Sequence, residues 1–88
     1  MRVSGEMIIR EIAGERILIP VGQAALKIHG MISLSESGLL LWKKLQQDCA
    51  EENLVESILK EYDIDRETAV SDVRDFLGKL ERIGILEK

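Results

Sequence analysis

The pattern of apolar and polar residues predicts a β-hairpin near the start of the chain. Residues 7–12 and 16–21 are mostly Ile, Leu, Val and Met, and β-branched residues favour strands. Gly14 lies between the two stretches and can adopt the positive φ that a tight hairpin turn needs. Pro20 lacks an N–H group, so it marks the end of the second strand or an edge position.

A third extended stretch is predicted over residues 24–29. Leu26 and Ile28 alternate with Lys27 and His29, which is typical of a strand with one face on the core and one in water. Together with the hairpin, this stretch predicts an antiparallel sheet of three consecutive strands.

The remaining two thirds of the chain have the apolar periodicity of helices, and three are predicted. The first is expected over residues 34–47, with Ser33 as the N-cap of a capping box. The second carries its apolar residues at helical spacing within residues 54–62. The third is expected to begin after an N-cap at Asp65 and to end at Gly84.

Three strands followed by three helices predict an α+β fold in which the helices pack against one face of the sheet. The chain has 88 residues and shows no linker or repeat, so residues 1–88 are expected to form one domain. The short apolar tail Ile85-Leu86 is expected to fold back onto the core.

Charge and composition narrow the range of functions. The chain has 16 Asp and Glu residues and 12 Lys and Arg residues, which gives a net charge of −4 and disfavours nucleic acid as a partner. No apolar run approaches the ~20 residues that span a bilayer, and no secretory signal is visible at the N-terminus. We therefore expect a cytoplasmic location and no membrane partner.

Residues that could carry catalysis or bind a metal are few. Cys49 and His29 are the one cysteine and the one histidine, and they fall in different predicted elements without a surrounding motif. The acidic pairs lie at predicted helix starts, where carboxylates favour the helix dipole. No metal-ligand spacing or Gly-rich phosphate loop is present. We expect no catalytic activity, no metal and no cofactor, which favours a binding role.

An uncovered sheet edge is the binding surface that this fold would offer, because it can accept an extended peptide as a further strand. The stretch over residues 24–29 begins with two alanines and is the candidate edge. Val70 and Leu77 flank the apolar stripe of the third helix, either as core residues or as the wall of a groove beside that strand. The same edge would also accept a second copy of the chain, so a homodimer stays open.

Several segments share their order and spacing with one family. They are Leu34-Ser35-Glu36-Ser37-Gly38, Leu41-Trp42, Glu61-Tyr62-Asp63, Asp72-Val73, Phe76-Leu77 and Gly84-Ile85-Leu86. On these segments the chain resembles the PqqD-like proteins, named for the small pyrroloquinoline quinone biosynthesis protein. The resemblance covers residues 7–87. Ser35 stands where the family pattern has Asn, and both residue types suit a helix start.

The resemblance implies a winged helix-turn-helix-like domain that recognises ribosomally made, post-translationally modified peptides. Such a protein binds the leader of a precursor peptide and presents the precursor to a modifying enzyme, often a radical S-adenosylmethionine (radical SAM) protein. The leader adds as a strand antiparallel to the third strand, beside the third helix. Carried onto this chain, the peptide-binding positions are Ala25, Leu26, Lys27, Ile28, His29, Met31, Val70, Val73, Arg74 and Leu77.

Two alternatives use the same order of elements. A winged-helix DNA-binding regulator would place the third helix in the major groove, but residues 66–82 hold four cationic and four anionic side chains and have no net attraction for phosphate. An interaction module that docks onto a larger enzyme without binding a leader is the other alternative.

Overall fold

The computed structural model describes residues 1–4, 6–28 and 30–87, apart from the side chain of Lys27. In chain order the elements are β1 (Arg2–Val3), β2 (Met7–Ile12), β3 (Glu15–Pro20), α1 (Ala24–Lys27), β4 (Ile32–Leu34), α2 (Glu36–Lys44), α3 (Glu51–Glu61), α4 (Arg66–Ile83) and β5 (Leu86–Glu87).

A three-stranded antiparallel sheet forms the first half of the fold, in the order β2-β3-β4. Ala13 and Gly14 connect β2 to β3, and their φ angles of 52° and 82° are those of a two-residue hairpin turn that matches the twist of its strands. The predicted hairpin is confirmed. Helices α2, α3 and α4 follow the sheet, so the predicted α+β class with a three-stranded antiparallel sheet is also confirmed.

The predicted position of the third strand is wrong. Residues 24–27 form the short helix α1, the Ile28 N–H donates to the Ala24 carbonyl at 2.8 Å, and the third strand is β4. The alternation in this stretch is misleading, because Leu26 is 74% exposed whereas Ala24 and Ile28, four residues apart, are both buried. That spacing belongs to a helical turn. His29 lies outside the described residues.

The helix ends follow local capping chemistry. Ser35 is the N-cap of α2 and accepts from the Gly38 N–H at 3.1 Å, so the prediction of Ser33 as the cap is wrong. Ser33 lies in β4, and α2 is shorter than the expected 34–47. Asp65 caps α4 by accepting from the Thr68 N–H at 2.8 Å, and Gly84 ends α4 at φ 81°, both as predicted.

One apolar core joins the sheet to the helices. The side chains without exposed surface include Leu18 of β3, Leu54 of α3, Leu80 of α4 and Ile85. Ile85 confirms that the apolar tail folds back. The chain ends also meet, because β1 pairs antiparallel with β5, which the sequence did not predict.

Candidate functional site

The hydrogen-bonding pattern of the sheet decides which backbone groups are free at its edge. In a two-residue hairpin the residues flanking the turn, here Ile12 and Glu15, form a hydrogen-bonded pair. Bonded and non-bonded pairs alternate, so residues 15, 17 and 19 point their backbone groups at β2. Residues 16 and 18 therefore point theirs at β4.

Ser33 is the residue of β4 whose backbone faces away from β3. Leu34 and Ile32 lie opposite residues 16 and 18 and bond back to β3. Ser33 lies opposite Ile17, so its N–H and carbonyl point outward from the sheet. These two groups are available to a further strand.

The free edge of β4 faces a groove whose other wall is α4. One depression of about 330 Å³ is lined by Met31, Ile32, Ser33, Lys79, Arg82 and Ile83. A second of about 220 Å³ is lined by Ser35, Ser37, Gly38, Leu41, Asp72, Asp75, Phe76 and Lys79. Lys79 lines both, so the two depressions form one surface, termed here the β4–α4 groove.

Apolar side chains lie at the base and rim of this groove. Ile32 and Phe76 are 7% exposed and belong to the core, and Ile83 is half-buried. Met31 is 66% exposed at the rim, so its apolar side chain is accessible to a ligand. The groove therefore combines unpaired strand backbone with apolar contact surface, which is the combination that strand addition requires.

The polar wall of the groove is a stripe of four charged residues on α4. Asp72, Asp75, Lys79 and Arg82 recur at spacings of three and four, which places them on one face of the helix. All four are exposed. The Arg82 Nε donates to the Gly78 carbonyl at 3.3 Å, which holds this side chain along the helix.

The structure brings one of the predicted strand positions into the groove. Met31 lines it. Ala25 and Leu26 are exposed on α1, whereas Ile28 is buried in the core. The side chain of Lys27 and the whole of His29 lie outside the described part of the chain. Because these predictions assumed a strand over residues 24–29, the edge positions move to Ile32, Ser33 and Leu34.

The predicted helix positions lie on other faces of α4. Val73 is fully buried and Leu77 is 8% exposed, so both are core residues. Val70 and Arg74 line a third depression, which shares Asp75 with the β4–α4 groove, and the Arg74 Nε lies 3.2 Å from Glu51 Oε1 on α3. None of the four lines the β4–α4 groove. Their contact with a peptide stays a prediction that this geometry does not favour.

Sequence reasoning missed the groove-facing residues of α4 because two flanks of its apolar stripe looked equivalent. Phe76 and Ile83 belong to the predicted stripe, and the charged residues beside them recur at the same helical spacing. This helical spacing was the feature of the sequence that could have identified the groove-facing residues. Which flank faces the groove depends on α3, which packs against the opposite flank of α4.

The structure gives no support to a thiol nucleophile. Cys49 is half-buried, and burial raises the pKa of its thiol, which disfavours the reactive thiolate. Among the described residues, no group of three or more His, Cys, Asp and Glu side chains is placed to hold a metal ion. In the same part of the chain, no helix combines the length and the apolar character needed to cross a membrane.

Comparison with known proteins finds both a family and a solved structure that are similar to this chain. A family model described as coenzyme PQQ synthesis protein D (PqqD) matches residues 15–86. Among solved structures, TbiB1 in complex with the TbiA(beta) leader peptide is similar to this chain, with a TM-score of 0.73 and 30% sequence identity. The match covers 99% of this chain and 95% of the solved one. No curated protein matches the chain.

Proposed function

The chain belongs to the PqqD family, and we propose that it is a recognition protein for the leader segment of a ribosomally made precursor peptide. The leader adds as a strand to the free edge of β4 and packs against α4. The observation that carries the proposal is the outward-facing backbone of Ser33 beside an apolar groove. The solved relative, which was determined with a leader peptide bound, supports the same class of ligand.

The energetics suit a reversible complex. Main-chain hydrogen bonds tolerate many peptide sequences, so specificity comes from the apolar base of the groove and from its charges. A disordered leader loses conformational freedom on binding, which lowers the affinity for a given buried area. We expect a Kd between micromolar and tens of nanomolar, about −8 to −10 kcal/mol.

The proposal includes a partner enzyme. The bound precursor is presented to a modifying enzyme while the recognition protein itself carries out no chemistry. Family membership supports this division of labour, and the resemblance implies a radical SAM enzyme. Co-purification of the chain, its precursor and a neighbouring modifying enzyme tests this step. Modification that proceeds at full rate without the chain would contradict it.

The charges of α4 argue against the winged-helix regulator. On the face away from the groove, Arg66 forms an ion pair with Glu52, and Arg74 pairs with Glu51. These cations are neutralised locally, and Lys79 and Arg82 share their face of the helix with Asp72 and Asp75, so α4 presents no net positive surface to a phosphate backbone.

Proline substitution at Ser33 tests strand addition. Ser33→Pro removes an N–H that points away from β3, so no hydrogen bond between β3 and β4 is lost. Proline is tolerated at such a free edge. Loss of one backbone hydrogen bond, which leaves a carbonyl of the peptide unpaired, reduces the binding free energy by about 1.5–3 kcal/mol. We therefore expect leader affinity to fall ten- to hundredfold in a calorimetric titration with the leader of a precursor peptide encoded beside the gene.

Glu11→Pro is the matched control. Glu11 lies opposite Arg16, so its N–H points out from the other free edge of the sheet, the β2 edge. This variant is expected to bind the leader with unchanged affinity. Equal loss of affinity in both variants, or none in folded Ser33→Pro, would argue against pairing at β4.

A further inference from the structure

The β4–α4 groove has a charge order along its length. Asp72 and Asp75 lie beside Ser35 and Ser37, where β4 ends, and Arg82 lies beside Met31 and Ser33. Lys79 lies between them and lines both depressions. The groove is therefore acidic at one end and basic at the other.

These charges are available to a ligand. Asp72, Asp75 and Lys79 form no ion pair with another described residue. The cations on the opposite face of α4, Arg66 and Arg74, are both paired with α3. The cations that pair with α3 thus lie on the opposite face of α4, whereas Asp72, Asp75 and Lys79 face the free strand edge without pairing to a described residue.

We infer that the groove selects leaders by the order of their charges: a basic residue first, then an acidic residue about four positions later, with an apolar residue between them. This inference rests on the proposed strand addition. The added strand runs antiparallel to β4, as β3 does, because antiparallel pairing is the more stable arrangement. Its N-terminal half then lies beside Asp72 and Asp75, and its C-terminal half beside Lys79 and Arg82.

The spacing follows from the two backbone geometries. The midpoints of the acidic and the basic pair are seven helical residues apart, or about 10 Å at a rise of about 1.5 Å per residue. Asp72 and Arg82 are about 15 Å apart on the same scale. A strand covers about 13 Å in four residues at about 3.3 Å each, and residues four apart share a face. The residue midway between them then faces the groove as well, above its apolar base.

Two nine-residue peptides of one composition test the inference. Both are acetylated and amidated and have Val at the fifth position and Thr at the remaining uncharged positions. One has Lys third and Glu seventh, and its isomer has these two exchanged. NMR titration at low ionic strength is expected to show that the chain binds the Lys-first isomer at least about fivefold more tightly, and salt is expected to reduce this preference.

A charge exchange in the protein should reverse the preference. The quadruple variant Asp72→Lys, Asp75→Lys, Lys79→Asp, Arg82→Asp keeps the net charge and inverts the order along the groove. The control variant Glu56→Lys, Lys60→Glu makes the same kind of exchange at exposed positions of α3, away from the groove, and is expected to keep the wild-type preference.

The outcomes separate this inference from the proposed function. Equal affinities for the two isomers, with shifts at the β4 amides, would overturn the charge-order inference and leave strand addition in place. Preference for the Glu-first isomer in the wild-type chain would overturn it too. Failure of both peptides to shift the β4 amides at millimolar concentration would overturn the inference, and failure of a full leader as well would overturn the proposed function.

Discussion

Replacing Leu18 with alanine is expected to remove a large share of the stability of the fold. Leu18 has no exposed surface, and among the described residues of the hairpin strands β2 and β3 it is alone in this. It lies opposite Ile9 on one side and Ile32 on the other. Leu18 is therefore the main anchor of the hairpin on the helices, and it also supports β4.

The size of the effect follows from burial and chain length. A fully buried Leu→Ala change costs about 2–5 kcal/mol, because a cavity is added to the lost transfer energy. A chain of this length has about 4–13 kcal/mol of stability in total. With a urea m-value of about 1 kcal/mol/M, a loss of about 3 kcal/mol lowers the unfolding midpoint by about 3 M.

Urea unfolding followed by fluorescence measures this change. Trp42 is the one tryptophan and is 7% exposed, so its emission reports on the core. Ile9→Ala is the matched control, since Ile9 lies directly opposite Leu18 but is 39% exposed. Its midpoint is expected to move by less than about 1 M. Midpoints that fall equally in the two variants would refute the role assigned to Leu18.

Two further predictions concern α4. Gly84→Ala is expected to destabilise the fold by about 1 kcal/mol, because Gly84 has φ 81°. Gly78→Ala is expected to stabilise it by about 0.5–1 kcal/mol, because Gly78 lies in the middle of α4 and an added methyl meets no atom within 4 Å. Urea midpoints that move in the same direction in the two variants would contradict this. Hydrogen bonds from Thr68 lower the pKa of Asp65, so the stability that this carboxylate contributes is full above about pH 4 and is lost as the pH falls through its lowered pKa. Asp65→Asn should remove that part of the acid sensitivity, and identical pH profiles for the two proteins would count against it.

The elements that the sequence predicts correctly are those set by local chemistry. Gly14 in the hairpin turn, Asp65 as an N-cap and Gly84 as a C-cap each act through the conformation or hydrogen bonds of neighbouring residues. Their effects do not depend on the rest of the fold, so the residue types alone reveal them.

The third strand was misplaced because tertiary contacts decide it. β4 has three residues, too few for alternation to be a clear signal, and it is held by pairing with β3. The longer alternation before it favoured a strand, although the same residues place Ala24 and Ile28 in the core as a helical turn. The predicted edge positions depended on this strand. Of those that the structure describes, Met31 lines the groove.

The groove face of α4 could not be predicted for a related reason. The apolar stripe of the helix is wide, and the face that meets the sheet is fixed by the position of α3 and of the paired chain ends. Val3 and Leu86 pair across almost the whole length of the chain, and local patterns carry no information about such a contact.

The most direct test of strand addition is an NMR titration of the labelled chain with the leader segment of a precursor peptide encoded beside the gene, with duplex DNA as the control. We predict that the leader shifts the amides of residues 31–34 and the groove face of α4, leaves α3 and the β2 edge unchanged, and that DNA causes no shift. Salt-sensitive shifts with DNA and no response of residues 31–34 to the leader would contradict the account.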